Sequence, residues 1–128
     1  MRRLFILLLL ACFFGTGFSQ DVESTQINKA FKAGNTTVIA KYFNANVEIT
    51  VLSKNGIYSK TQAKNILNAF FSDKKITDFH LIHSGGKKGS FYYVSKLSTD
   101  STDYRIFYFL KPAGGTYAIY QLTIEKQQ

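Results

Sequence analysis

The sequence predicts an α+β domain in which helices pack on the concave face of a curved antiparallel sheet. Two observations carry this reading. Amphipathic segments with a helical period dominate residues 22–72, whereas almost everything after residue 75 alternates with the period of a strand. Short clusters of Gly, Ser, Thr, Asp and Pro separate the later segments, and strands joined by such short connections pair antiparallel. A long twisted sheet must bury one face, and the amphipathic segments are there to cover it, so the domain should take the form of a cone.

The elements follow in order. Residues 22–33 place Ile27, Ala30 and Phe31 on one helical face, and Gly34 supplies the stop. Asn35 suits the N-cap of a short helix over 36–43, with Val38, Ile39, Tyr42 and Phe43 apolar. Residues 47–51 alternate apolar and polar, Lys54-Asn55-Gly56 reads as a turn, and Ile57-Tyr58 as a brief return strand. Ser59-Lys60-Thr61-Gln62 has the form of a capping box, in which the Ser hydroxyl and the Gln side chain satisfy reciprocal backbone donors. It opens a helix over 60–72 with Ala63, Ile66, Leu67, Phe70 and Phe71 on its apolar face. Four strands are then expected at 76–84, 90–99, 103–111 and 116–125, with residues 84–89, including Gly85-Gly86, as the first hairpin loop. The predicted order is α-α-β-β-α-β-β-β-β.

Upstream of these elements, Met1-Arg2-Arg3 precedes the apolar run Leu4–Phe14 and the small, weakly polar stretch Gly15–Gln20. That is the layout of a secretory signal, and the run is far shorter than the about 20 residues a transmembrane helix needs. Gly17 and Ser19 provide small side chains at −3 and −1, so residues 1–19 are expected to be the signal peptide and residues 20–128 the single cone-shaped domain. A buried N-terminal helix is the alternative. Leu9-Leu10-Ala11-Cys12 also resembles a lipobox, which would anchor the chain by a lipid at Cys12, but Phe13-Phe14 continue the apolar run beyond the Cys. The expected location is periplasmic or secreted.

The ordered elements are similar to the cone of nuclear transport factor 2 and its relatives, also called cystatin-like. More closely, the chain resembles the family termed domain of unknown function 4783, small signal-bearing proteins of Bacteroidetes-type bacteria. The resemblance rests on Gly34-Asn35, Tyr42-Phe43, Val47-Glu48-Ile49-Thr50, Gly56-Ile57-Tyr58-Ser59-Lys60 with Gln62-Ala63, His83 with Gly85, Tyr104-Arg105-Ile106, and Leu122 with Ile124-Glu125. It implies a nuclear transport factor 2-like cone and an exported compartment, and no activity. Because relatives with this cone commonly dimerise through the outer sheet face, it also implies a homodimer there.

Composition narrows the chemistry. Cys12 is the only Cys, so an intramolecular disulfide and a cysteine-based zinc site are both excluded. Loss of Arg2 and Arg3 with the leader leaves a net charge of +6, but the lysines are scattered and no run exceeds two, which reads as a solvated basic surface and not a nucleic-acid groove. No nucleophile elbow, phosphate loop or calcium loop is present, and no cofactor or metal is expected. His80 and His83 stand at odd spacing on one expected strand, which directs them to opposite faces. Asp78 and His80 share the first of these faces. His83 is the sole candidate acid or base, with a structural role at the strand end as the alternative.

Aromatic alternation sets an inside and an outside. Tyr104, Ile106, Tyr108 and Leu110 are assigned to the helix-facing side, together with Tyr92, Val94, Tyr120, Leu122 and Ile124 on neighbouring strands. Arg105, Phe107, Phe109 and Lys111 then lie outside, an apolar patch with a charged rim suited to contact with another molecule. If the cone is hollow, Tyr42, His83, Tyr92, Tyr104 and Tyr108 would line a pocket for a small molecule. The expected function is therefore an exported, non-enzymatic binding protein. It would hold a small ligand in the cone or a protein partner on the sheet face, with a cone-fold isomerase or hydrolase using His83 as the alternative.

Overall fold

Ser59 and Gln62 form the reciprocal cap that the sequence announces. In the computed structural model, which describes residues 20–127, the Ser59 hydroxyl accepts from the Gln62 amide at 3.2 Å and the Gln62 side chain accepts from the Ser59 amide at 3.1 Å. The cap starts helix α3 (Lys60–Phe71), which buries Ala63, Leu67, Phe70 and Phe71. Before it come α1 (Gln20–Ala33) and α2 (Thr36–Lys41), the latter capped by the Asn35 side chain accepting from the Val38 amide. The strands are β1 (Phe43–Val51), β2 (Lys54–Ser59), β3 (Ile76–Lys87), β4 (Ser90–Thr99), β5 (Asp103–Ala113) and β6 (Thr116–Lys126). The signal-peptide and lipidation readings fall on residues 1–19, outside the described residues.

All six strands form one sheet in the order β2-β1-β6-β5-β4-β3. The expected meander occupies β3 to β6, and the β1–β2 hairpin joins it by a parallel pairing of β1 with β6. That pairing explains two departures from the expected boundaries. The Ile119 amide donates to the Tyr42 carbonyl, which ends α2 before residue 42 and starts the strand at Phe43. At the other end of β1 the Leu52 amide donates to the Ile124 carbonyl, so the hairpin turns at Leu52-Ser53 and Lys54-Asn55-Gly56 lies within β2.

Helix α1 lies against β3 and fills the cone. Phe31, fully buried, stacks on Phe79 at 5.6 Å and on Tyr108 at 6.1 Å, and Tyr108 stacks in turn on Tyr93 at 5.0 Å. Phe70 meets Tyr104 edge-on at 5.0 Å. Each such ring contributes roughly 1.5–3 kcal/mol by leaving water. The Tyr108 hydroxyl donates to Asn28 Oδ1 at 2.9 Å, which satisfies the one polar atom that the ring carries into the core. Burial pushes the Tyr108 phenol well above its ordinary ionisation range, with the neighbouring Tyr93 adding to the effect. Ser95 differs: its hydroxyl is fully buried without a hydrogen-bond partner among the described residues.

Two outcomes follow for stability. Phe31→Ala should lower unfolding free energy by about 3–5 kcal/mol, whereas Ser95→Ala should leave it unchanged or raise it by up to about 1 kcal/mol, as read by urea denaturation. The second concerns pH. The unfolded chain ionises Tyr108 near pH 10 while the folded chain keeps it neutral, so its contribution is complete below pH 10 and declines above it. The stability gap between the native chain and Tyr108→Phe should therefore narrow from pH 9 to pH 11, by at most about 1.4 kcal/mol per pH unit above 10.

Candidate interaction face

Beside a bulge at Thr77 near the start of β3, two further bulges decide which side chains reach the convex side of the sheet. The first is at Ile82. His80 pairs with Lys96 and His83 with Val94, and since Lys96 and Val94 are two residues apart on β4, both His residues lie on one face. The expectation that they point apart is corrected: the extra residue between Leu81 and His83 turns odd spacing into a shared face. The second bulge is at Tyr120, where Phe109 pairs with Gln121 but Leu110 with Ile119. It moves Tyr120 outside, although Leu122 and Ile124 remain inside as expected.

Strand β4 also runs with the parity opposite to the one assigned. Tyr93, Ser95 and Leu97 face the helices, while Tyr92 and Val94 pair with Phe109 and Phe107 on the outside. The set Tyr92, Val94, Lys96 and Ser98 is the more polar of the two, and Phe91, Tyr93 and Leu97 are the apolar signal that points to the inner face.

These shifts assemble a row of side chains. His83 Nε2 and the Tyr92 hydroxyl are 2.9 Å apart, and the Tyr92 ring stacks against Phe107 at 6.1 Å. Next along the face, the Lys111 ammonium sits 5.9 Å from the centre of the Phe109 ring and 5.2 Å from that of Tyr120, within reach of a cation–π attraction. Phe107, Phe109, Tyr92 and Tyr120 are all half-buried, and Val94 is buried beneath them outside the central core. Arg105 pairs across the sheet with Lys96 and Glu125 at one end of the row. A depression of about 330 Å³ lies beside it, between Phe109, Tyr120, Lys111, Glu48 and Ile57.

Glycine makes the row fit. Gly85 and Gly86 are not a loop but belong to β3, and the hairpin turns at Lys88-Gly89, both with positive φ. A Cβ on Gly85 would stand 2.5 Å from the Tyr92 hydroxyl and 2.6 Å from its ring, so only Gly lets the ring lie across β3 to reach His83. Phe91 covers Gly86 in the same way on the inner face.

The proposed ligand-lining residues do not surround one cavity. Tyr104 and Tyr108 are buried in ring-to-ring contact within the core, and Tyr42 is half-buried against it. Tyr92 and His83 lie on the opposite side of the sheet, with His83 exposed. Arg105, Phe107 and Phe109 do share the outer face, as the alternation predicted. A polar depression of about 470 Å³ around the turn at Thr99–Thr102 includes none of these residues. Among the described residues no three His, Cys, Asp or Glu side chains gather as metal ligands, and no helix is long and apolar enough to cross a membrane.

A curved six-stranded sheet with three helices on its concave side defines a nuclear transport factor 2-like domain. The chain belongs to the domain of unknown function family DUF4783, whose sequence profile matches residues 24–125. It is similar to a DUF4783 family protein from Bacteroides uniformis, with 28% identity, a TM-score of 0.76, and coverage of 81% of this chain and 96% of that one. A second, from Bacteroides ovatus, is 26% identical with a TM-score of 0.76, covering 80% and 94%. The fold extends to a nuclear transport factor 2-like protein of unknown function from Silicibacter pomeroyi, 7% identical with a TM-score of 0.61 over 81% of this chain and 89% of that one. No curated protein matches the chain.

Gly85→Ala should displace the Tyr92 ring and break its contact with His83. The expected readings are loss of the ring-current shift on His83 by NMR and a destabilisation of about 1–3 kcal/mol. An unmoved His83 signal would show that the ring does not depend on the missing Cβ.

Proposed function

We propose that the chain is an exported, non-enzymatic interaction protein whose outer sheet face binds a second copy of itself. One observation supports this above the others: the cone is filled by stacked rings, while Tyr92, Phe107, Phe109 and Tyr120 form a half-exposed aromatic row on the opposite face. Aromatic rings at the centre of a charged rim match the composition of contact surfaces. The rim also complements itself. Glu48 and Glu125 stand toward the β1–β6 side, and toward the β4–β3 side Lys96 is paired with Asp103 and His80 with Asp78, so the rim carries both signs. A two-fold axis running along the strands between two copies places the β1–β6 side of each over the β4–β3 side of the other, so the patch meets itself as an isologous interface requires.

A small ligand inside the cone is not favoured, because the residues offered for it are packed against one another or lie outside. An acid–base role for His83 within the cone loses its basis for the same reason. In this reading residues 1–19 are the removed signal peptide and residues 20–128 the mature domain, periplasmic or secreted, free of a lipid on Cys12 and without a cofactor.

Native mass spectrometry of protein purified from its host tests these statements together. The expected species is a dimer of residues 20–128, and Phe107→Asp should weaken it about 30-fold or more, the size of a loss of ~2 kcal/mol at a central contact, with an unchanged circular dichroism spectrum. A monomer at 100 μM would overturn the self-association, and a mass carrying lipid would overturn the processing site.

A further inference from the structure

After Glu23 the helical layer carries charge of one sign. Between Glu23 and Asp73 the only acidic residue is Glu48, which lies on the outer sheet face with Phe109 and Tyr120. The same stretch holds Lys29, Lys32, Lys41, Lys54, Lys60 and Lys64. Three of these converge. Helices α2 and α3 pack side by side and leave a depression of about 280 Å³ lined by Lys41, Lys60 and Lys64, by Thr37 and Thr61, and by Ala40 as its buried floor. The Lys60 ammonium donates to the Lys41 carbonyl at 3.4 Å, which holds one positive charge at the seam between the helices.

This cluster works against the stability of its own scaffold. Lys60 is the first residue of α3, where the helix dipole disfavours a cation, and Lys60 and Lys64 are a like-charge pair one turn apart. Neither α2 nor α3 has an acidic residue in its first turn to compensate. No carboxylate pairs with any of the three among the described residues, where the ion pairs are Lys74–Asp73, His80–Asp78 and Lys96–Asp103. Local choices that oppose the fold without a compensating contact mark sites kept for another purpose.

We propose that the α2–α3 cleft binds a phosphate-type oxyanion. A doubly charged tetrahedral group neutralises more of the clustered positive charge than a single carboxylate does. Lysine ammonium groups serve as point-charge donors to its oxygens, and the Thr37 and Thr61 hydroxyls add two neutral donors. The volume admits a phosphate bearing a small ester substituent. The same chemistry is offered by a soluble phosphate ester and by the headgroup of an anionic lipid.

The test is an NMR titration of the chain with sodium phosphate at constant ionic strength, paired with cosedimentation on vesicles of phosphatidylglycerol in phosphatidylcholine against phosphatidylcholine alone. Saturable amide shifts at Thr37, Lys41, Lys60, Thr61 and Lys64 are expected. Lys60→Gln with Lys64→Gln should weaken the response at least tenfold, and Lys87→Gln with Lys88→Gln on the β3–β4 hairpin should not. Without phosphate the first variant should melt at or above the native temperature, which separates loss of binding from loss of fold. Saturation by free phosphate without pelleting assigns a soluble ligand. Lysine-dependent pelleting without saturation assigns the lipid headgroup. Neither response, or equal responses in the native chain and the cleft variant, overturns the proposal.

Discussion

Phe31 is the side chain around which the rest is arranged. It reaches from α1 into the concave side of the sheet and touches Phe79 on β3 and Tyr108 on β5, while a second contact ties Tyr108 to Tyr93 on β4. Three strands and one helix are thus held by a single chain of stacked rings. Interiors are packed at the density of organic crystals, so a cone filled in this way leaves no room for a second occupant. The Tyr108 hydroxyl, drawn into the stack, is answered from the helix by Asn28 and not from the sheet. That bond fixes the rotation of α1 as well as its depth.

A filled interior changes what the sheet can be used for. In a cone with a cavity, polar groups would converge inward. Here the unusual groups, the exposed His residues and the half-buried rings, stand on the convex side. They are placed there by deviations from regular pleating: the bulge at Ile82 on β3, the bulge at Tyr120 on β6, and a Gly that lets Tyr92 lie flat across the strand. Bulges twist a strand and re-aim its side chains, and both fall where the aromatic row needs a residue turned outward.

The two surfaces of the molecule differ in charge as well as in shape. The sheet face mixes both signs around apolar rings, which permits self-complementarity. The acidic residues of the helical layer are confined to the start of α1, and the lysines of α2 and α3 pair with no carboxylate among the described residues. Scattered in sequence, Lys41, Lys60 and Lys64 form a cluster only because α2 and α3 lie side by side.

The sequence alone determined what depends on neighbours within one element. The capping box at Ser59, the N-cap at Asn35 and the apolar face of α3 are set by residues a few positions apart, and the meander of the last strands by short turns between alternating segments, so all can be read directly. The outer placement of Arg105, Phe107 and Phe109 follows from strict alternation on a strand whose own pleat is regular. The tertiary structure decided the rest. The ends of α2 and of the first hairpin depend on hydrogen bonds to β6, 77 and 72 residues away in sequence. The faces of His80, His83 and Tyr120 depend on bulges, which exist only as a mismatch between two paired strands and leave no trace in either one alone. A period of two has no memory of where it slips, so one extra residue inverts every side chain beyond it.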